Sequence, residues 1–350
     1  MNQHDDVDLP GDWEDDDHPR DDRRRGRRAA LIALGLVAVL VLGVGLVVGN
    51  YLNGLKNSYE KRTVVEITRG ASDGDRPEAI DGAGRNFLLL GSDKRSEEDA
   101  ASEGVSGQRS DVMMLVHVSE DNQSVYITSF PRDLYVDIPG YGKDRINAAL
   151  AFGGVGLAVA TVEDYVGVPI DHVALIDFDG IEGLVDTLGG GVDVKIPLTF
   201  EAGGHQFTEG VQNLDGEQAL TFVRQRKQFA DGDFQRNRNQ QAVLKGIADK
   251  LISAETLSDP RKLADTIDSV SPFLTTDDGL GASSMVELGL SLRSVRSGDL
   301  HFLSVPHAGP TTTSGGASVV ATDEESMDVL REALRTDDMG TYYAQHAGTF

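Results

Sequence analysis

The chain has 350 residues, 39% of them hydrophobic, no cysteine and a formal net charge of -25. That is enough apolar sequence for one folded domain of ordinary size with tethering sequence to spare; the lack of cysteine excludes a disulfide framework, a cysteine nucleophile and a thiolate metal site. So acidic a balance disfavours a nucleic-acid partner, because binding by counterion release needs a basic face.

The chain opens on "MNQHDDVDLPGDWEDDDHPRDD", too polar and charge-dense to order itself by burial. "RRRGRR" follows, and then an uncharged run beginning "AALIALGLVAVLVLGVGLVV" at Ala29 that meets no charge until Lys56. About twenty apolar residues span a bilayer as a helix. A cleaved secretory signal is the competing reading, but the run is long for an h-region and no A-x-A site follows before Asn50. Arginines just before the span place the N-terminus in the cytoplasm and the remainder outside. The expected layout is a disordered cytoplasmic tail over 1–28, a transmembrane anchor over 29–50, an extracellular stalk over 51–85, one folded domain over 86–336 and a C-terminal tail over 337–350.

In the stalk, "NSYEKRTVVEI" reads as a short helix running into a strand, and "RGASDGDRPEAIDGAGR" as a loop. "NFLLLGS" from Asn86 is a buried strand, and "DVMMLVHVS" and "SVYITSF" are two more, joined at "EDNQ" as in a hairpin. Then "GLAVATVEDYVG" is helical, "HVALIDFD" extended, "GIEGLVDTLGG" helical with a glycine stop and "VDVKIP" extended. "GEQALTFV", "DFQRNRNQQAVLKGIADKLIS", "SSMVELGLSLRSV" and "DEESMDVLREALR" are helices, with "LHFLSVP" a late strand. The alternation predicts an α/β fold: a layered α-β-α domain with a central mixed sheet, preceded by one transmembrane helix.

Charged residues collect at strand ends. "GSDKR" puts Asp93 and Arg95 at the exit of the first strand, "QRSDVMML" puts Arg109 and Asp111 at the entrance of the second, and "SFPRDLYVDIPG" puts Arg132 and Asp133 at the exit of the third. Open α/β sheets hold ligands at such edges; each pair alone reads first as a solvated ion pair, and their recurrence at three strand ends shifts that balance. The stretch "FVRQRKQFADGDFQRNRNQ" adds a local cluster of cations. Arg224 and Arg226, two apart, project to one side if the chain leaves the preceding helix extended and diverge if the helix continues. Arg236 and Gln240, four apart, share a face near a helix N-terminus that favours an anion. Arg238 and Lys227 read equally as a solvated helix face. Arginine forks grip phosphate oxygens in pairs. Asp93 and Asp111 would repel phosphate unless a hard cation sat between, and Mg²⁺ is the usual one, with Mn²⁺ as an alternative. A diphosphate with a divalent metal satisfies both halves. Histidines 205, 301 and 307 have no zinc spacing, "GGVGLA" is no dinucleotide fingerprint and no G-x-S-x-G elbow occurs.

In order, "NFLLLGSDKR", "RSDVMML", "SFPRDLYVDIPG", "DRINAA", "HVALIDFDGIEGLVDTLGGGVDV", "LDGEQALTFVRQRK" and "GDFQRNRNQQAVL" resemble the LytR-CpsA-Psr family of membrane-anchored glycopolymer transferases. The resemblance implies transfer of a phosphorylated glycan from a polyprenyl-diphosphate carrier to a peptidoglycan hydroxyl at the outer face of the cell membrane, with Mg²⁺ as metal. Carried over by motif, Asp93 and Asp111 are its ligands. Arg109, Arg132, Arg224, Arg226 and Arg236 form the diphosphate clamp, Gln240 a polar contact, and Arg95 and Arg145 match family positions. Asp93, Asp111, Arg109 and Arg132 are the expected catalytic set. The chain departs from the family pattern at Asn239, where arginine is frequent, at Arg145, where lysine is common, and in a longer stretch between Asp93 and Arg109. A lipid-diphosphate pyrophosphatase and a non-catalytic wall-binding regulator are the alternative functions. The lipid tail needs an apolar tunnel, for which residues 155–192 hold enough Val, Leu and Ile, though such residues are more often plain core.

Overall fold

Strand β2 (Arg85–Ser92) carries apolar side chains on alternate sides: Leu88 and Leu90 are fully buried against one layer, Phe87 and Leu89 pack on the other. Its antiparallel neighbour β3 (Ser110–Val118) does the same, with Met113 and Leu115 on the first side and Met114 and Val116 on the second. A strand apolar on both faces belongs in the middle of a sheet covered twice. The computed structural model describes residues 63–65, 76–92, 110–225, 229, 233–252, 269 and 271–347, all within one compact unit running from Gly54 to Phe350. The expected tail over 1–28 and anchor over 29–50 lie outside the described residues.

The remaining elements follow in chain order. β1 (Thr63–Val65) comes before β2; after β3 come β4 (Val125–Ser129), β5 (Tyr135–Ile138), β6 (Gly142–Arg145), α1 (Ala148–Val166), β7 (His172–Asp177) and α2 (Phe178–Thr187). Then come β8 (Val192–Ile196), β9 (Phe200–Ala202), β10 (His205–Phe207), β11 (Gly210–Leu214), α3 (Gly216–Val223) and α4 (Asp233–Leu251). The chain continues through β12 (Leu274–Asp277), α5 (Ala282–Ser291), β13 (Leu300–Ser304), β14 (His307–Thr312), β15 (Ser318–Thr322), α6 (Glu324–Arg335) and α7 (Met339–His346). Among the described residues the main sheet has seven strands in the order β1-β12-β7-β2-β3-β4-β13. It is mixed: β2 runs parallel to β7 and β4 to β13, while β3 is antiparallel to both its neighbours.

One face of the sheet is covered by α1, α6 and α7, whose Val159, Val162, Leu330, Leu334 and Met339 are buried with Leu88, Leu90 and Val173. The other face meets α4 through Leu244 and Ala248. A second apolar cluster joins α2, α3, α4 and the small strands around the stacked rings of Phe200, Phe207 and Phe222. Helix α1 is long and apolar enough to cross a membrane by length and composition, but over half of it is buried inside the domain.

Two boundaries move. β1 pairs with β12 in parallel, so part of the expected stalk is the edge of the main sheet. The expected C-terminal tail includes α7, whose Met339 and Tyr342 lie in the core. Asp337, with a left-handed φ of 54°, takes part in fixing that helix: its carboxylate lies 2.9 Å from His117 Nε2 and accepts the Glu120 N–H at 3.0 Å.

Asp277, at the end of β12, is buried and accepts hydrogen bonds from the Val173 N–H at 2.8 Å and the Leu280 N–H at 3.0 Å, with His172 Nδ1 at 3.1 Å. Burial alone pushes this carboxyl up, but the bonds from His172 and Val173 outweigh it, and its pKa lies below the ordinary carboxylate value. Such a group stabilises the fold above its unfolded pKa, and the contribution is lost as the pH falls through the folded one. Asp277→Asn is expected to cost about 2 to 3 kcal/mol near neutral pH, since it leaves buried donors facing an amide. In denaturant titrations the gap between wild type and variant should hold above about pH 5 and shrink below about pH 4.

Candidate functional site

The strand register gathers the expected site at one edge of the sheet. Ser92 at the end of β2 pairs with Ser110 at the start of β3 and with Asp177 at the end of β7; Ser129 at the end of β4 pairs with Ser304 at the end of β13. Ligands of open α/β sheets collect at this carboxyl edge. Asp93, Arg95 and Arg109 lie outside the described residues, although they flank the Ser92–Ser110 pair in sequence. Asp111 lies in β3 where the ladder steps from Ser92–Ser110 to Gly91–Val112, so it is the extra residue of a bulge.

Beyond β4 the chain turns tightly at Pro131, with the Leu134 N–H donating to its carbonyl at 2.9 Å. The turn is locked to the segment after β6 by Ile146 N–H to Leu134 O at 2.8 Å and Asn147 N–H to Arg132 O at 3.2 Å. Two guanidinium groups thereby meet one carboxylate: Arg132 Nε lies 3.5 Å and Arg145 Nη1 3.7 Å from Asp133. One acid between two arginines draws them together and leaves a net positive charge for a ligand anion. Arg132 and Asp133 line a cleft of about 210 Å³, closed by Phe234 and Asn237 of α4 and by Pro310, Val319 and Val320 of the β14–β15 hairpin. The Phe234 ring stacks on His307 at 4.9 Å; burial pushes the His307 pKa down.

Helix α4 buries polar residues in succession. Arg236 is 6% exposed, Asn239 1% and Gln240 5%, with Asn237 buried beside them. Gln241 fastens the helix to the carboxyl edge, its Nε2 donating to Ser129 Oγ at 2.7 Å and to Leu303 O at 2.8 Å. Asn239 accepts from Gln235 Nε2 at 2.9 Å and reaches Phe222 O of α3 at 3.4 Å, so this departure from the family pattern joins two helices. Arg238 is exposed and donates to Gln235 Oε1, as expected of a solvated helix face. Arg224 follows the helical of its two readings: it is the right-handed C-cap of α3 and is exposed. Arg226 and Lys227 lie outside the described residues.

Further along α4 the lining turns apolar. A cavity of about 190 Å³ is walled by Val243, Leu244 and Ile247 of α4, Ile181 and Leu184 of α2, Leu89 and Val112 of the sheet, and further apolar residues. Gln240 stands in its wall one helical turn beyond Arg236, and its buried Nε2 has no hydrogen-bond partner among the described residues. Buried donors of that kind are rare unless a ligand meets them. Of the stretch 155–192 only Ile176, Ile181 and Leu184 reach this cavity; Val159, Val162 and Val166 are plain core. Sequence reasoning missed Phe234, Asn237 and Gln241. Their i, i+3, i+7 spacing along one helix face was the available signal. Among the described residues no three His, Asp or Glu side chains converge as a metal site.

The LytR_cpsA_psr family model matches residues 55–336. A relative from Bacillus anthracis, named polyisoprenyl-teichoic acid–peptidoglycan teichoic acid transferase TagU, is 37% identical over 227 residues, 64% of this chain and 72% of its own. The crystal structure of B. subtilis TagV aligns with a TM-score of 0.62 and 27% identity, over 72% of this chain and 98% of its own. A structure of TagT bound to LI-WTA aligns with a TM-score of 0.58 and 27% identity, over 78% of this chain and 98% of its own. The match begins just before β1, runs through the whole described sheet and ends just after α6, the span that holds the arginine-lined cleft and the apolar cavity, and on it the chain belongs to the LytR-CpsA-Psr family.

Proposed function

We propose that this chain is a phosphotransferase that moves a glycopolymer phosphate from a polyprenyl-diphosphate carrier to a peptidoglycan hydroxyl. The observation that carries the reading is helix α4, on which a buried arginine, Arg236, is followed one turn later by Gln240 in the wall of an apolar cavity. A ligand with an anionic head and a hydrocarbon tail matches that sequence of environments. The first prenyl units fill the space beside Val243 and Leu184, and Gln240 Nε2 meets a phosphate oxygen at the boundary. Arg132 and Arg145, held together by Asp133, take the oxygens on the glycan side. Arg95, Arg109, Arg224 and Arg226 complete the clamp.

Asp93 and Asp111 are hard oxygen donors that follow Ser92 and Ser110 in sequence, the pair where β2 meets the start of β3, and they offer the donor chemistry Mg²⁺ or Mn²⁺ takes. The bound ion supplies neutralisation of the phosphate oxygens. The chain's own part is positioning and charge. The acceptor hydroxyl oxygen forms the new bond to phosphorus, the bond to the bridging oxygen breaks, and the lipid leaves as its monophosphate while arginines offset the charge that develops. The apolar run over 29–50 anchors the chain with its N-terminus inside and holds the domain at the outer surface of the membrane in which the carrier resides.

The test is incubation of the full chain with a polyprenyl-diphosphate-linked glycan and peptidoglycan. A phosphodiester-linked product together with lipid monophosphate is expected. Lipid monophosphate with only free glycan phosphate would identify a pyrophosphatase instead, and no turnover with or without Mg²⁺ would identify a binder.

A further inference from the structure

We propose that Tyr141 and Phe152 form a platform on which a pyranose ring of the saccharide substrate stacks, a subsite neighbouring the cleft that Arg132 lines. The proposal rests on the transferase reading and adds to it where the sugar is held. Among the described residues these are the only aromatic side chains that are largely exposed, Tyr141 at 58% and Phe152 at 43%, and they touch each other. Their rings stack with centroids 5.0 Å apart and planes 20° from parallel, and Tyr141 Oη donates to Phe152 O at 3.3 Å. Two exposed rings held in register lose contact with water on folding only in part, and gain little for the core; a flat ligand recovers the rest.

Local backbone keeps the approach open. Tyr141 sits in the turn between β5 and β6, flanked by Gly140 and Gly142, both with left-handed φ, and an added Cβ at either would meet nothing within 4 Å. Phe152 ends the first part of α1, which breaks at Gly153 and Gly154; Gly154 has a φ of 67° and equally clear surroundings. One hairpin links the platform to the charged site: it presents Tyr141 at its turn and pairs Arg145 with Tyr135 at its base. Tyr141 and Arg145 are four steps apart along the strand, roughly 13 Å at about 3.3 Å per residue, the reach of a short oligosaccharide from a bound phosphate. A membrane contact is the less favoured occupant, since membrane-seated patches are larger apolar surfaces with basic flanks, whereas this pair is two rings between glycines, with Lys143 followed directly by Asp144.

Steady-state transfer is measured with the full chain in two arms, one varying a polyprenyl-diphosphate disaccharide and the other varying soluble peptidoglycan glycan strands. Tyr141→Ala is expected to raise one KM about tenfold, the factor equivalent to about 1.4 kcal/mol, with kcat little changed. The arm that moves shows whether the stacked sugar belongs to donor or acceptor. Tyr141→Phe, which keeps the ring, should behave as wild type. An active wild type whose KM values both survive Tyr141→Ala overturns the platform, whether the variant loses thermal stability or association with phosphatidylglycerol vesicles instead. Inactive wild type overturns the transferase reading; quenching of a Phe152→Trp reporter by β-1,4-linked N-acetylglucosamine oligomers then supports the platform, and no quenching overturns it.

Discussion

Arg236→Ala is expected to lower transfer by about 10²–10³-fold, the loss seen when a preorganised donor to a developing oxyanion is removed. Arg236 is almost fully buried in the first turns of α4, where free backbone N–H groups and the helix dipole add to its positive field. A guanidinium withdrawn from water has weak screening, so its contribution to a reacting phosphate exceeds that of the half-exposed Arg132 or Arg145. Arg236→Lys keeps the charge but loses the planar fork and is expected to recover only part of the rate. Turnover and thermal unfolding measured on the same preparations separate a lost clamp from a lost fold.

The second large effect is at the other end of the ligand. Val243→Trp places an indole in the apolar cavity, and purified protein is expected to carry no polyprenyl lipid by mass spectrometry and to turn over about 10²-fold more slowly, as a misplaced reacting group would. Val243 is buried and lines a space already present, so the larger side chain fills a void. A well-packed core would answer the same change with about 1 to 3 kcal/mol of strain. Retained stability with lost lipid therefore marks a ligand site, and lost stability with retained turnover marks ordinary core.

How much of this was written in the sequence differs by element. The central strands were plain, because runs such as "NFLLLGS" and "DVMMLVHVS" are apolar on both faces and are bounded by turn residues. Helix α2 was equally plain, since it stops at three successive glycines, Gly189, Gly190 and Gly191, all with left-handed φ. The β5–β6 and β14–β15 hairpins carry short, partly exposed strands without a strict apolar alternation, so no periodicity announced them. Helix α7 was hidden because its eight residues carry just three large apolar anchors, buried Met339 and Tyr342 and the partly buried Tyr343, too few to show a helical period.

For the site, residue type identified arginines and strand ends identified the edge, but which helix joined head group to tail depended on packing. Arg236 and Gln240 were placed together by their spacing of four, and the structure adds that both are buried and that a cavity begins there. For Arg224 the sequence left an extended exit and a continued helix both open; the structure makes it the helical cap of α3, where the two-residue alternation of a strand does not apply. Asn239 read as a missing charge; its burial against the end of α3 makes it a fastening between helices.

The most direct measurement is an atomic structure of the folded chain with a short-chain polyprenyl diphosphate. The account predicts phosphate oxygens within hydrogen-bond distance of Arg236 and Arg132, and the prenyl chain passing Gln240 into the space between Val243 and Leu184. A tail lying outside that cavity, or phosphates bound away from both arginines, would contradict it.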